Sequence, residues 1–494
     1  MQGLIRFGYG KLTEACFFLC SIDNSQLAAE WFAKVDVSTA ELQSPPPLTA
    51  LQLAFTAKGL QRLGVADQIV GGFSAEFLSG MTGETNRSRR LGDIDENAPA
   101  RWLWGNDDAI PDFVALIYAH KEHFKEWTAS IESQIEVSGC RVMHRLETND
   151  MGDIEPFGFA DGISSPIIDW ERKRDPSGDK LDYGNIAMIG EFVLGYPNEY
   201  GLYTSRPTVE DDSADLPEAE EQPGAKDLGR NGTYLVIRHI DQDVHGFWRY
   251  LLEQTGSNSD SAQNLAEHFV GRHMSGETLL ESLHESIEGV GPDSDDIRLN
   301  DFTYREDPNG FKCPVGAHIR RANPRNADLP SDTPASFFGI LSRTLALNRF
   351  WRDSSADRDR VASTRFHRLL RRGREYGPIL TQKQRMQPPS PGEPPSGLHF
   401  ICLNANIGRQ FELVQGAWLN STAFDGLSEE NDPLLGNRKT LSGCPAANFS
   451  IQVDSNIRQK IRAIPQFTTV RGGAYFFLPG VRALRYLARA GKLL

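Results

Sequence analysis

The sequence predicts an α+β protein with two tandem ferredoxin-like domains, whose antiparallel sheets have helices packed outside. An apolar run of strand length followed directly by an amphipathic helix occurs four times along the chain. Two of these strand-helix units fall in each half, and a β-α-β-β-α-β ferredoxin-like domain contains two of them. No Gly-x-Gly-x-x-Gly motif opens any of the helices, which disfavours a doubly wound parallel fold.

The two units of the N-terminal half begin with strongly apolar runs. A strand is predicted over Ala15–Ile22, with Asp23 or Asn24 as N-cap of the helix that follows. A second strand is predicted over Phe113–His120 and leads into a helix that extends to about Ile135. These two units form the first predicted domain.

The C-terminal half repeats the pattern. Thr233–Ile240 predicts a strand that leads into a helix containing Leu252. Leu398–Leu403 predicts a strand that leads into a helix from Ile407 to about Trp418. These two units form the second predicted domain.

The length of the chain supports this division, because 494 residues exceed what one hydrophobic core usually holds. We place an N-terminal domain at residues 1–206 and a C-terminal domain at residues 233–494. Residues 207–232 between them are rich in Asp, Glu, Pro and Gly, so we interpret them as an exposed acidic linker or loop.

Charge narrows the class of partner. Acidic residues outnumber basic ones, 66 against 52, and the formal net charge is -14. This balance argues against nucleic acid or an anionic membrane surface as the main partner. Small neutral or cationic substrates fit the charge better.

The sequence also indicates a cytoplasmic protein. The N-terminus lacks a basic region followed by an unbroken apolar stretch. The sequence also contains no run of about twenty apolar residues that could cross a bilayer. The six cysteines are scattered, and Cys16 and Cys20 lie four residues apart on one predicted strand, too distant to bridge easily. We therefore expect reduced, buried cysteines and no zinc site of the usual spacing.

His318 is the candidate metal ligand. It follows the small residues of Cys313–Ala317, which leave room for a flat, bulky group to approach. The arginines after it, such as Arg325, can pair with carboxylates such as haem propionates. An imidazole ligand beside cations for propionates is typical of a haem site.

Asp161 is the candidate proton-transfer group. It lies between Gly158 and Gly162 in a segment rich in phenylalanine, where an aspartate is otherwise most often a turn residue. A carboxylate in such a tightly turned apolar segment can be held at a cavity wall, with its proton affinity set by its neighbours.

The run Leu369–Pro378 contains three arginines. An arginine-rich run is usually a solvated face, but two leucines before it and glycines within it indicate a chain that enters or leaves a core. We therefore expect one arginine of the set to point inward, with Arg371 as the candidate.

Together these segments resemble the dye-decolorizing peroxidases, in the longer form found in fungi and some bacteria. The resemblance covers nearly the whole chain. The segments that carry it are Gln2–Ile5, Leu53–Thr56, Gly59–Leu60, Gly80–Met81, Gly158–Gly162, Ala317–Arg325 and Leu398 with Phe400.

The resemblance implies a peroxidase that uses hydrogen peroxide to oxidise phenolic, aromatic or dye-like donors by one-electron steps. It implies one haem b per chain, held in the C-terminal half with its iron ligated by His318. It also implies that Asp161 is the distal acid-base residue and that Arg371 stabilises cleavage of the O–O bond.

The resemblance also assigns the surroundings of the haem. Leu398, Phe400 and Phe411 correspond to apolar walls of the distal pocket, and Asp432 to the acid that hydrogen-bonds the ligating imidazole. Packing explains Tyr376 and Trp418 equally well, but they match positions where related enzymes relay oxidation to the surface. A distal carboxylate stays ionised in acid where an imidazole would be protonated, so we expect an acidic optimum.

Two alternatives remain open at this stage. A haem-binding or porphyrin-handling protein, for carriage or iron release, would need the haem site but not both a distal acid and a distal arginine. A chlorite dismutase-like enzyme would share the ferredoxin-like architecture, and the Asp161 loop argues against it.

Overall fold

A nine-stranded sheet forms the centre of the protein in the computed structural model. The structure describes residues 1–106, 109–174, 185–210, 214–280, 299–300, 302–325, 363–439, 446–454 and 457–490. The strands form two groups along the sheet, and both groups have the same strand order.

The N-terminal unit contributes four antiparallel strands. In chain order they are Glu14–Ile22, Thr49–Phe55, Phe113–Ala119 and Cys140–Glu147. Their order across the sheet is fourth, first, third, second. Helix Ser25–Phe32 follows the first strand and helix Lys121–Val137 follows the third. This is a ferredoxin-like β-α-β-β-α-β arrangement.

The C-terminal unit repeats this order. Its strands are Thr233–Gln242, the short edge pieces Leu370–Arg371 and Arg374–Tyr376, then Ser396–Asn404 and Thr468–Leu478. The first strand lies between the third and the fourth, and the edge pieces pair with the third. Helix Val244–Gln254 follows the first strand, and the helical turns Gly408–Glu412 and Val414–Leu419 follow the third.

The two units share one sheet because their edges meet. The last strand of the C-terminal unit pairs with the second strand of the N-terminal unit, with Phe477 opposite Phe55. Phe477 also packs its ring against Phe73 at a centroid distance of 4.7 Å. The prediction of two tandem ferredoxin-like domains is confirmed, and the structure adds that their sheets are continuous.

The remaining elements surround this sheet. The helices are Leu4–Phe7, Ala57–Arg62, Asp67–Val70, Ala75–Ser79, Thr85–Leu91, Ser259–Val270, His318–Ala322, Gln382–Arg385 and Val481–Ala490. Single helical turns lie at Asp95–Asn97, Pro99–Arg101, Ile189–Glu191, Ser363–Phe366 and Phe424–Gly426. Short strand pairs are Ile167–Asp169 with Ile186–Met188 and Phe449–Asp454 with Ile457–Ile461.

The apolar runs of the sequence are strands buried on both faces. Every residue of Phe113–Ala119 is buried, and alternate residues belong to different clusters. Phe18 packs with the helices on one face, whereas Phe17 packs with Leu4 and Phe192 on the other. Burial on both faces explains why these strands read as continuous apolar runs instead of alternating ones.

The four predicted strand-helix units all occur. Asn24 caps the first helix, because its side-chain Oδ1 accepts a hydrogen bond from the Leu27 N–H at 3.1 Å. An acceptor at this position satisfies one of the unpaired N–H groups of the first helical turn. Of the two predicted caps, Asn24 is the one used.

The acidic segment 207–232 contains a small three-stranded sheet. Its strands are Thr208–Val209, Glu218–Ala219 and Gln222–Asp227. Asp227 is buried and accepts a hydrogen bond from Arg206 Nε at 2.7 Å. The described part of this segment is therefore tied to the protein by an ion pair, and the domain boundaries drawn through it stay a prediction.

Five of the six cysteines lie in the described part of the chain, and all five are free and buried. Cys444 lies outside the described residues. Burial raises the pKa of Cys16 to about 12 and that of Cys140 to about 11, so both are neutral thiols at physiological pH.

A buried ion pair between Arg238 and Asp93 supports the wall of the central cavity, and we expect Asp93→Ala to lower the free energy of unfolding by about 3 to 5 kcal/mol. The substitution leaves the Arg238 guanidinium, 3% exposed, without its partner. The matched control is Asp23→Ala, which removes the partner of Arg141 in an exposed pair and should cost about 0 to 1 kcal/mol. Chemical denaturation measures both, and equal losses would contradict this account.

Candidate active site

A large cavity lies against the sheet of the C-terminal unit. Strand residues Ile240, Leu398 and Phe400 form one wall, and Phe411 and Val414 of the helical turns form another. Other apolar lining residues are Phe157, Phe159, Ile163, Val270, Ile319, Leu419, Leu434, Leu435 and Val470. His318, Asp161 and Arg371 interrupt this apolar surface, so three of the predicted site residues face one space.

His318 begins the short helix His318–Ala322. The arginines of this helix anchor it, since Arg320 donates to the carbonyls of Asp307 and Cys313, at 2.9 and 2.8 Å. Arg321 is fully buried and donates to the carbonyl of Trp418 at 2.6 Å. The arginines that follow the histidine therefore fix the backbone from which its side chain projects.

Asp432 orients the imidazole. Its Oδ2 lies 2.9 Å from His318 Nδ1, and its Oδ1 accepts hydrogen bonds from the N–H groups of Leu434 and Leu435, at 2.9 and 2.8 Å. Burial lowers the pKa of His318, but the charge of Asp432 and their hydrogen bond outweigh it, so the pKa is raised. None of the described residues forms a hydrogen bond with His318 Nε2.

Asp161 and Arg371 form an ion pair in the same cavity. Arg371 Nη1 donates to Asp161 Oδ1 at 2.7 Å. Burial raises the pKa of Asp161, but the charge and the hydrogen bond of Arg371 outweigh it, and the pKa falls below its ordinary value. The charge of His318, which lines the same cavity, also lowers this pKa.

Glycines and backbone hydrogen bonds shape the Asp161 loop. Gly158 has φ of +110°, and a Cβ at this position would lie 2.8 Å from Arg385 Nη1. Glu155 accepts hydrogen bonds from the N–H groups of Phe157 and Phe159, both at 3.0 Å. These contacts hold the segment that leads into Asp161, which lines the cavity.

Arg325 and Arg272 place two further cations at the cavity wall. Arg325 was expected from the sequence, and its guanidinium donates to the carbonyls of Asn300 and Phe302, at 2.7 and 2.8 Å. Sequence reasoning missed Arg272, which is 3% exposed and donates to the carbonyls of Gly276 and Leu299. Burial and the charge of Arg325 lower the pKa of Arg272 to about 10.

Tyr376 and Trp418 lie near the cavity without lining it. The Tyr376 hydroxyl donates to the backbone carbonyl of Ile240 at 3.1 Å and to the Asp241 carboxylate, and Ile240 lines the cavity. The Trp418 ring lies edge-on to His367, another lining residue, with 5.3 Å between centroids. Both aromatic side chains are half-buried.

Comparison with known proteins finds sequences that are similar over nearly the whole chain. A dye-decolorizing peroxidase, msp1, from Mycetinis scorodonius is 26% identical over 506 residues, which cover 98% of this chain and 86% of that protein. The multifunctional dye peroxidase DyP2 of an Amycolatopsis species is 26% identical over 501 residues, which cover 97% of this chain and 91% of that protein. No protein-family model matches the chain.

The chain is therefore similar over nearly its whole length to proteins named dye-decolorizing peroxidases. The crystal structure of such a peroxidase from Auricularia auricula-judae superposes with a TM-score of 0.70 at 23% identity and covers 99% of both chains. A dye-decolorizing peroxidase in complex with 2,6-dimethoxyphenol superposes with a TM-score of 0.67 at 21% identity, covering 99% of this chain and 98% of that one. The predicted fold and the predicted resemblance to dye-decolorizing peroxidases are both confirmed.

We expect the Asp161–Arg371 ion pair to determine how the stability of this fold changes with pH. In the wild type the lowered pKa of Asp161 gives a stability contribution that is present above the unfolded pKa and lost as pH falls. In Arg371→Leu burial dominates and raises that pKa, so the contribution is lost as pH rises instead. From about pH 7 to about pH 4, the contribution of Asp161 to the free energy of unfolding should therefore fall in the wild type and rise in Arg371→Leu. Chemical denaturation at the two pH values measures this, and parallel pH profiles of the two proteins would contradict the assignment.

Proposed function

We propose that this protein is a haem-dependent peroxidase that uses hydrogen peroxide to oxidise phenolic, aromatic or dye-like donors by one-electron steps. The observation that carries the proposal is the single cavity that holds an Asp161–Arg371 pair at 2.7 Å and an imidazole, His318, oriented by Asp432. Sequence relatives that are similar over nearly the full length of the chain are named dye peroxidases, and they support the same function.

The residues of the cavity fit a haem. His318 lines the cavity and its Nδ1 is held by Asp432, which leaves Nε2 as the nitrogen that would ligate iron. Leu398, Phe400 and Phe411 supply apolar surface for a porphyrin. We assign Arg325 and Arg272 to the propionate carboxylates, because both guanidinium groups are buried at the cavity wall and an anion there would offset the desolvation that lowers the pKa of Arg272.

The protein residues then divide the work of peroxide cleavage. Bound haem supplies the redox-active iron and the porphyrin that take up the oxidising equivalents of hydrogen peroxide. Asp161 takes the proton from the inner peroxide oxygen and delivers it to the outer one, so that water leaves. Arg371 stabilises the negative charge that develops on the departing oxygen, a contribution of about 3 kcal/mol for one preorganised donor.

The charge state of Asp161 favours activity in acid. A general base must be ionised, and Arg371 lowers the pKa of this carboxyl below its usual range. An imidazole in the same place would be protonated below about pH 6.5. The acidic optimum expected from the sequence therefore has a physical cause in this ion pair.

The alternative of a haem carrier or porphyrin-handling protein is disfavoured. A haem carrier needs the iron ligand His318 and an apolar pocket. An ion pair that lines the same cavity costs desolvation free energy and does not help to store haem. The Asp161–Arg371 pair has a use in peroxide cleavage.

The test compares three variants of the haem-loaded protein. We expect His318→Ala to lose most of its haem, because it loses the strong iron ligand. Asp161→Asn and Arg371→Leu should keep haem and lower kcat/KM for peroxide by about 10²-fold or more, since both act on cleavage. His268→Ala, which changes a half-buried histidine that does not line the cavity, is the control. Full haem content in His318→Ala, or unchanged kcat/KM in both distal variants, would contradict the assignment.

We also propose that Tyr376 and Trp418 pass electrons from bulky donors that do not reach the haem. Tyr376 carries a suitable proton acceptor, because its hydroxyl donates to the Asp241 carboxylate, which is paired with Arg471. Burial, followed by the hydrogen bond to Asp241 and the charge of that carboxylate, raises the pKa of Tyr376. An oxidised tyrosine must lose its proton, so an acceptor already hydrogen-bonded to the hydroxyl lowers the cost of that oxidation.

Replacing both Tyr376 and Trp418 by Phe should lower turnover of bulky dyes several-fold and leave small-phenol oxidation nearly intact. The reason is that small donors reach the cavity directly, whereas bulky ones depend on the relay. Steady-state kinetics on one bulky dye and one small phenol measure the ratio. Phe366→Leu, another aromatic change near the surface, serves as control. Equal losses on both donors would reject the relay.

Location is proposed from the sequence. Within the described residues, none of the helices has the length and apolar character needed to span a bilayer. We retain the cytoplasmic location as a proposal, and fractionation of the natural host decides it.

A further inference from the structure

A second, smaller cavity lies on the other side of the distal ion pair. Asp161, Arg371, Leu398 and Phe400 line both cavities, so they form the partition between them. The rim of the smaller cavity includes the exposed residues Gly10, Asp153, Gly162 and Gly373. The smaller cavity therefore connects the Asp161–Arg371 pair with the protein surface. Glu375 also lines this smaller cavity and has no role in the assignments above.

We propose that Glu375 supplies protons from solvent to Asp161 through this smaller cavity. The inference rests on the proposed peroxidase function and deepens it. Glu375 does not line the main cavity among the described residues, so it acts through Asp161 and is not itself a catalytic residue.

The backbone holds Glu375 in place from two sides. It is the middle residue of edge strand Arg374–Tyr376, and it pairs with Leu398 across the sheet. Its carbonyl accepts a hydrogen bond from the Asn149 N–H at 2.9 Å. Residues opposite each other in a sheet project to the same face, and Leu398 lies in the partition. The side chain of Glu375 is therefore directed to the cavity face and not to the opposite one.

Glu375 has no ion-pair partner in the described part of the chain. Arg371 is paired with Asp161, while Arg372 and Arg374 direct their guanidinium groups to backbone carbonyls of the N-terminal segment, those of Leu4 and Tyr9. The other titratable groups around Glu375 are Asp153, Glu155, Asp161 and His399.

These surroundings give Glu375 a near-neutral proton affinity. Burial raises the pKa of Glu375 to about 7, the charges of Asp161 and Glu155 add to this, and Arg374 opposes it. Asp161 behaves in the opposite way, because Arg371 lowers its pKa. Two carboxyl groups with separated proton affinities, one ionised and one able to hold a proton, are the components of a proton relay.

The proposed reaction requires such a supply. Reduction of one hydrogen peroxide to two waters consumes two electrons and two protons. A donor oxidised at the surface releases its proton at the surface, so protons must enter the distal side separately. Asp161 is ionised at working pH and cannot store them, whereas Glu375 can hold one and recover it from solvent.

The experiment compares Glu375→Gln with the wild type in the haem-loaded protein. We expect kcat for a bulky dye to fall several-fold near neutral pH, with a larger solvent deuterium isotope effect on kcat. The loss should disappear at about pH 4, where solvent protons are about a thousandfold more abundant. Glu375→Asp keeps a carboxyl group and should recover part of the neutral-pH activity.

A matched control separates proton supply from local charge. Asp153→Asn removes a carboxylate from the exposed rim of the same cavity and should leave the pH profile within about twofold of the wild type. If Asp153→Asn and Glu375→Gln shift the profile equally, or if Glu375→Gln leaves profile and isotope effect unchanged, the proposal is wrong.

A second readout does not depend on turnover. Buried Glu191 also has its pKa raised to about 7, so its carboxyl band serves as an internal reference that Glu375→Gln should retain. Besides that band, infrared difference spectra of protein with ¹³C-labelled glutamate carboxyls should show a second carboxyl band that titrates near pH 7 in the wild type and is absent in Glu375→Gln. If the second band is present but the wild type has no peroxidase activity, the proposed function fails and the proton-holding group stands. If the second band is missing, the inference about Glu375 fails and the proposed function stands.

Discussion

The ion pair between Asp161 and Arg371 determines which segments of the chain must meet at the cavity. Two ionised groups that face an apolar cavity lose hydration, and they recover the cost when they lie close in good geometry, here at 2.7 Å. Asp161 comes from a glycine-bounded loop, and Arg371 from a two-residue edge strand. The pair therefore fixes the distance between a loop and a sheet that are 210 residues apart in the chain.

Two other buried charges at the cavity are the carboxylate of Asp432, which orients the imidazole, and the guanidinium of Arg272, whose surroundings favour an anion. Asp432 is fully buried, yet its two oxygens accept from His318 and from two backbone N–H groups. Arg272, in contrast, donates to the neutral backbone carbonyls of Gly276 and Leu299, and burial lowers its pKa to about 10. A cofactor with carboxylates would stabilise that cation, which is why the basic wall and the histidine argue for the same ligand.

The continuous sheet explains how the site is kept rigid. The C-terminal unit contributes Ile240, Leu398 and Phe400 from two neighbouring strands, and these strands are held in register over nine residue pairs from Tyr234 to Gln242. The opposite edge of that unit continues into the N-terminal unit through Phe55 and Phe477. A cavity wall made of central strands moves little, which suits a reaction that depends on the placement of a carboxylate and a guanidinium within a few tenths of an ångström.

The sequence by itself determined the local features. Strand-helix periodicity located all four units, because side-chain alternation and helical amphipathicity are properties of neighbouring residues. Small residues before His318, glycines around Asp161 and leucines before Arg371 identified the residues that the structure brings around one cavity. Tertiary structure decided what depends on distant partners: the single pairing of Phe55 with Phe477, the buried cation Arg272 and the raised pKa of Glu375. Each of these arises from burial and charges contributed by segments hundreds of residues away or by different loops, and no local pattern in the chain encodes that environment.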